Sequence, residues 1–245
     1  FRGVVSVFTG GPDGKAVTAY DAAKGGEPLW QRGEGRHGYS SPQAAHLGGV
    51  DQVLIAADNG LTALDPVKGD ELWRHAWPTD AQTPRCVQPA QIDDTDVLLA
   101  TGMGKGERRL HVEKHGDGWA DPEEKWTSKA LNAYFNDRVI HKGHVYGFDG
   151  NMFTCLSLDS GKARWRGGRY GNGQVLLLAD QDLLLVLSEK GEAVLVAADP
   201  EKHRELGKFQ AIEGKTWNHP VVARGKLFVR NGEEAACYEL PGWKE

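Results

Sequence analysis

Cysteine is scarce: the 245-residue chain carries Cys86, Cys155 and Cys237, an odd number at wide spacing, with no Cys-x-x-Cys and no adjacent pair. That count argues against a disulfide framework and against a structural zinc site. Long apolar runs are also missing. The longest is broken at Asp180, Gln181 and Asp182, far short of the ~18 residues that a membrane-crossing helix needs, so the chain reads as soluble with no transmembrane segment. Nor does one sign of charge dominate: 29 Lys and Arg face 34 Asp and Glu, a net charge of -5. Such a balance gives no electrostatic footprint for nucleic acid or an anionic membrane. The chain begins at Phe1 with strand-like text and no basic segment before an apolar one; a signal peptide is expected to be absent or already removed.

What is plentiful is glycine, at 32 residues, and tryptophan, at 8. Both recur in one phrase, clearest at residues 63–73 (Ala-Leu-Asp-Pro-Val-Lys-Gly-Asp-Glu-Leu-Trp). Apolar and polar residues alternate, break at Pro66 and Gly69, alternate again and end on a large aromatic, the text of two strands joined by a tight turn. The closing aromatics fall at Trp30, Trp73, Trp126, Trp165 and Phe209, a period of about 45 residues that matches a four-stranded propeller blade. In the clearest copy the strands are expected at 42–46, 52–57, 61–65 and 71–75, with Asp58-Asn59-Gly60 as the hairpin between the second and third. Equivalent turns stand at Gly11-Pro12-Asp13-Gly14, 102–106, 149–151, 189–191 and 231–232. Ala19, Ala63, Cys155, Ala197 and Cys237 align at one position where a small side chain is wanted under a bulky neighbour, so two of the cysteines read as small buried hydrophobes.

The fold class is therefore all-β, a propeller of four-stranded antiparallel blades within a single domain spanning 1–245. About six units are visible, the first and last incomplete, and a complete ring would hold six to eight. The first has three strands (4–8, 15–21, 27–31) and the last ends after its third. The simplest inference is the C-terminal part of a longer propeller; the alternative is a six-unit ring that closes irregularly.

The phrase Ala-x-Asp-x-x-x-Gly-x-x-x-Trp, here Ala63, Asp65, Gly69 and Trp73, resembles the tryptophan docking motif of pyrroloquinoline-quinone (PQQ) repeats. Gly38-Tyr39-Ser40-Ser41-Pro42 and residues 225–231 are similar to PQQ-like repeat proteins of bacteria. That family includes quinoprotein dehydrogenases and non-catalytic outer-membrane assembly lipoproteins. The resemblance implies a structural tryptophan girdle and an extracytoplasmic location, in the periplasm or cell envelope. It does not carry activity across: the alcohol-oxidising members use an adjacent cysteine pair and a calcium held by Glu, Asn and Asp, and neither pattern can be placed here. Calcium takes six to eight oxygen ligands, whereas the acidic residues mostly sit in turns.

Candidate ligand contacts lie where each innermost strand begins, at one mouth of the channel. Ser41, Gln88, Asn136, Gln174 and His219 hold the position at the strand start, with His37, Arg85, Tyr134, Asn172 and Trp217 just upstream. From these, Arg85, Gln88, Tyr134, Asn136, Trp217 and His219 are expected to contact a ligand, a planar anion held by charge-assisted hydrogen bonds and stacking. The same residues equally suit a wet channel whose polar groups satisfy one another. Elsewhere the bland reading holds. Residues 102–106 lack the phosphate-loop spacing and any following helix, and His111 and His115 read as a strand and a turn residue rather than a metal pair. Residues 121–125 read as a solvated turn or a partner-binding loop, and no Gly-x-Ser-x-Gly supports hydrolysis. The expected function is a non-catalytic binding or assembly scaffold, engaging a protein partner or small ligand at the channel mouth. The alternative is a PQQ-dependent dehydrogenase of alcohols or sugars with calcium, Arg85 and Trp217 contacting the quinone.

Overall fold

The computed structural model describes residues 1–11, 13–80, 83 and 85–242; Pro12 of the first predicted turn lies outside them. Strand follows strand in antiparallel meanders, because each β-branched or leucine-rich run is cut by a Gly, Asn or Asp turn that reverses it. Blade one comprises β1 (Val4–Phe8), β2 (Val17–Asp21) and β3 (Gly25–Arg32), and blade two β4 (Gln43–Leu47), β5 (Val50–Ala57), β6 (Gly60–Leu64) and β7 (Glu71–Ala76). Blade three comprises β8 (Ala90–Gln91), β9 (Asp96–Thr101), β10 (Gly106–His111) and β13 (Glu123–Ser128), and carries an inserted hairpin of β11 (Lys114–His115) and β12 (Gly118–Trp119). Blade four holds β14 (Val139–His141), β15 (His144–Asp149), β16 (Met152–Ser157) and β17 (Ala163–Arg169). Blade five holds β18 (Gln174–Leu178), β19 (Leu183–Leu187), β20 (Glu192–Ala197) and β21 (Glu205–Gln210), and blade six β22 (Val221–Ala223), β23 (Lys226–Arg230) and β24 (Ala235–Glu239). Among the described residues the one helical element is the 3-10 turn Ala179–Gln181. The chain divides into two compact units, 1–129 with blades one to three and 130–245 with blades four to six.

The repeated phrase has a physical reading at every position. Asp65 accepts the amides of Val67 and Lys68 through its side chain, at 2.8 and 2.7 Å, which folds the turn locally. Asp21 does the same for Ala23 and Lys24 in blade one. Gly69 has φ +75°, and a Cβ there would stand 2.6 Å from the ring of Trp30. The motif glycine of blade two is thus the floor for the tryptophan of blade one. Trp73 is buried on the seam with blade three, in one cluster with Leu54, Ala63, Val97, Leu99 and Leu110. Its indole donates to Gln52 Oε1 at 2.7 Å.

The small position opposite the tryptophan is real: Ala19 faces Trp30, Ala63 faces Trp73 and Cys155 faces Trp165. Two expectations fail there. Phe209 pairs with Ala193, not with the aligned Ala197, and is 45% exposed. Cys237 is exposed, whereas Cys155 is fully buried; among the described residues no fourth strand lies beside β24. Burial raises the Cys155 thiol to about 12. In blade three the expected solvated turn at 121–125 is strand from Glu123 onward, paired with β10. The insertion instead forms the small hairpin ahead of it, and Trp119 lies against the β4–β5 turn, about 3 Å from where a Cβ on Gly48 would sit. The His111 side chain reaches Asp96 at 2.6 Å, and His115 lies in the hairpin 3.3 Å from Glu113.

Candidate functional site

The loops that lead into each innermost strand lie beside the hairpins between second and third strands, and these loops gather the candidate residues within each unit. In 1–129, Arg85 is completely buried. Its guanidinium donates to Thr101 Oγ1 at 2.8 Å, to the carbonyls of Trp77 at 2.6 Å and Gly60 at 3.3 Å, and to that of Ala57. Burial lowers its pKa to about 10, and the ring of Trp77 covers it at 5.5 Å. These bonds tie the blade-two hairpin to the loop entering blade three, so the donors expected to meet a ligand are spent on backbone carbonyls. The Arg85 carbonyl in turn accepts the amides of Tyr39 and Ser40. Gln88 is half-buried three residues further on, in the loop before β8.

In 130–245 four expected residues come together. Tyr134 and Trp217 flank Phe135, with ring centroids 5.2 and 4.7 Å away, and both are exposed, at 44% and 38%. Asn136 is buried and donates to the Gly173 carbonyl at 2.5 Å, while Gln174 donates to the Trp217 carbonyl at 3.1 Å. His219 stands 3.5 Å from Asp137. Asn136 and Gln174 thus form a relay in which one blade's side chain caps the next blade's backbone, while Gln174 Oε1 is buried without a hydrogen-bond partner among the described residues. Glu189 and Lys215 complete the site. The Trp217 indole donates to Glu189 Oε1 at 2.8 Å, and the Lys215 ammonium lies 3.5 Å over the Trp217 ring. The Asn172 backbone amide, ahead of the indole, holds the Glu189 carboxyl below its ordinary range. Phe135, Glu189 and Lys215 were not singled out in the sequence. Glu189 opens a turn recognised only as a hairpin, and Lys215 is two residues before Trp217.

This arrangement offers exposed aromatic faces with a fixed carboxylate and a cation beside them, the residue types that anchor partner side chains. Among the described residues no three His, Cys, Asp or Glu side chains converge, and the sequence has no adjacent cysteines.

Residues 2–107 match the model of the family described as outer membrane protein assembly factor BamB. The chain has the β-propeller fold, and its PQQ-like repeat match spans residues 2–107. No curated protein matches it. Among solved structures, BamB from Moraxella catarrhalis is similar at 14% identity and a TM-score of 0.50, over 90% of this chain and 77% of that one. The Cps50 (Swd1) propeller domain from Myceliophteria thermophila aligns at 13% identity and a TM-score of 0.63, over 94% and 81%. The computationally designed Ika8 protein aligns at 10% identity and a TM-score of 0.54, over 94% and 79%. These likenesses concern the propeller fold alone. No helix among its described residues is long and apolar enough to cross a membrane.

Proposed function

We propose that this PQQ-like propeller is a non-catalytic binding scaffold of an extracytoplasmic compartment, with residues 1–245 acting as one domain that holds a protein partner on its loop face. The observation that carries the reading is the exposed pair Tyr134 and Trp217 around Phe135. Scattered surface aromatics need no explanation, but two that share a neighbour, one of them fixed by Glu189 and Lys215, form an anchor of the kind that dominates interfaces. The match of residues 2–107 to an outer-membrane assembly family supports the same role and compartment. Asn136 and His219 serve as the frame of the anchor within 130–245, and Arg85 and Gln88 belong to the framework of 1–129.

A photo-crosslinking residue at Tyr134, in cells of the native host, tests this. A discrete protein adduct is expected, and Trp217→Ala should reduce it at least about 10-fold, as for a residue worth some 1.4 kcal/mol or more. Absence of any adduct overturns the proposal. So does alcohol- or sugar-dependent dye reduction by the purified full-length protein supplied with PQQ and calcium.

A further inference from the structure

The tryptophan girdle has a gap. In blades one, two and four the third strand carries a small residue opposite a tryptophan, and the register shifts directly afterwards, following Ala19, Ala63 and Cys155. The same shift in blade five follows Leu195, which pairs with Gly207. At this position the small residue has become leucine and the tryptophan has become glycine. Nothing in the backbone asks for that glycine. Gly207 is absent from the positive-φ residues, and a Cβ on it would meet nothing within 4 Å.

The exchange of Trp and Ala for Gly and Leu does not refill the seam. A cavity of about 300 Å³ remains between blades five and six, walled by Leu185, Leu195 and Gly207 on one side and Val222, Leu227 and Leu240 on the other. Phe209, two residues beyond Gly207, does not close it. Its ring leans on Tyr238 at 5.1 Å and forms the outer wall. The volume is at the small end of ligand pockets, and the half-open slot is lined almost wholly by apolar side chains, which favours an apolar guest. The equivalent seam of blade four shows what fits: the Trp165 indole lies edge-on to His203 at 5.5 Å and donates to the Asp199 carbonyl of the next blade at 2.7 Å.

We propose that the slot at Gly207 is a binding site for a small, uncharged, planar aromatic molecule of indole size. The occupant is set by pseudo-symmetry, since four other blades carry an indole at the corresponding strand position, Trp126 of blade three facing Arg109 there. The site is independent of the Tyr134 and Trp217 anchor.

Titrating indole into the full chain, with leucine and valine methyl resonances as the readout, tests it. Saturable shifts at Leu185, Leu195 and Leu227 are expected, half-complete at about 1 mM or below, the affinity a nine-atom ligand can reach. Gly207→Trp should fill the slot from within, abolish those shifts and raise Tm by about 5 °C. If that variant does not fold, Gly207→Val, compatible with the strand, should weaken indole binding at least 5-fold. No methyl shift up to the solubility of indole overturns the proposal, as does unchanged indole binding in a folded Gly207 variant.

Discussion

Trp73→Phe and Trp30→Phe remove the same atoms from equivalent positions, yet they should differ in cost. Both indoles are buried, at 4% and 6% exposure, so the volume lost is alike and the transfer and cavity penalty, about 1 to 2 kcal/mol, largely cancels between them. The indole nitrogens differ. That of Trp73 donates to Gln52 Oε1, and Gln52 is itself fully buried with its amide on the Leu47 carbonyl at 3.1 Å. Removing the donor leaves an acceptor stranded, which costs a further 1 to 3 kcal/mol or so. The Trp30 nitrogen is buried with no hydrogen-bond partner among the described residues, so its removal relieves a penalty instead. Trp73→Phe should therefore cost about 2 to 4 kcal/mol and Trp30→Phe about 0 to 1 kcal/mol. Urea denaturation followed by circular dichroism reads the difference, provided the m-value is unchanged. Adding Gln52→Leu to Trp73→Phe removes the stranded acceptor and should recover part of the loss. Equal costs for the two phenylalanine variants, or strict additivity of Gln52→Leu with Trp73→Phe, would refute the reasoning.

Gly69→Ala should cost at least about 2 kcal/mol, because it forces a side chain into a left-handed φ and against the Trp30 ring; the same denaturation curves report it. Arg85→Ala strands several buried carbonyls and should cost about 3 kcal/mol or more, with no rescue by Arg85→Lys, whose single ammonium cannot span the same acceptors. Glu189 has its folded-state pKa lowered, so its contribution is complete above the ordinary value near 4.5 and fades as pH falls through the lowered one. The Trp217 indole proton resonance should titrate below pH 4.5 in the native protein and lose that transition in Glu189→Gln. In the folded protein Cys237 should react quickly with a thiol reagent, while Cys155, buried and with its thiol raised to about 12, should react only on unfolding.

The architecture was legible because its signals are local. Turn residues at Asp58-Asn59-Gly60 and the alternation flanking them locate β5 and β6 to within two residues, and the phrase around Trp73 repeats often enough to give the blade period. The alignment slipped in blade five for the same reason. Ala197-Ala198-Asp199 imitates the motif as text, whereas the register shift that marks the true position follows Leu195, and only cross-strand pairing reveals it. The candidate site was half legible. Residues leading into the innermost strands do cluster in 130–245, but polarity alone could not tell an arginine facing solvent from Arg85, whose donors turn inward to Trp77 and Gly60. Glu189 was hidden because its role depends on Asn172 and Trp217, both far away in sequence.

The glycine beneath Trp30 belongs to the following blade, as does the carbonyl that receives the Trp165 indole. The unit that repeats in the text is therefore not the unit that is stable on its own: at both of these junctions the later copy completes its predecessor. Cohesion of this kind is a nearest-neighbour property, stored at junctions rather than inside blades. A duplicated or transplanted copy would bring a tryptophan with no floor at one end and a floor with no tryptophan at the other. Tryptophan and the next copy's glycine should accordingly be inherited as a pair, and a graft cut in the middle of a blade, which keeps each junction whole, should be tolerated better than one cut between blades.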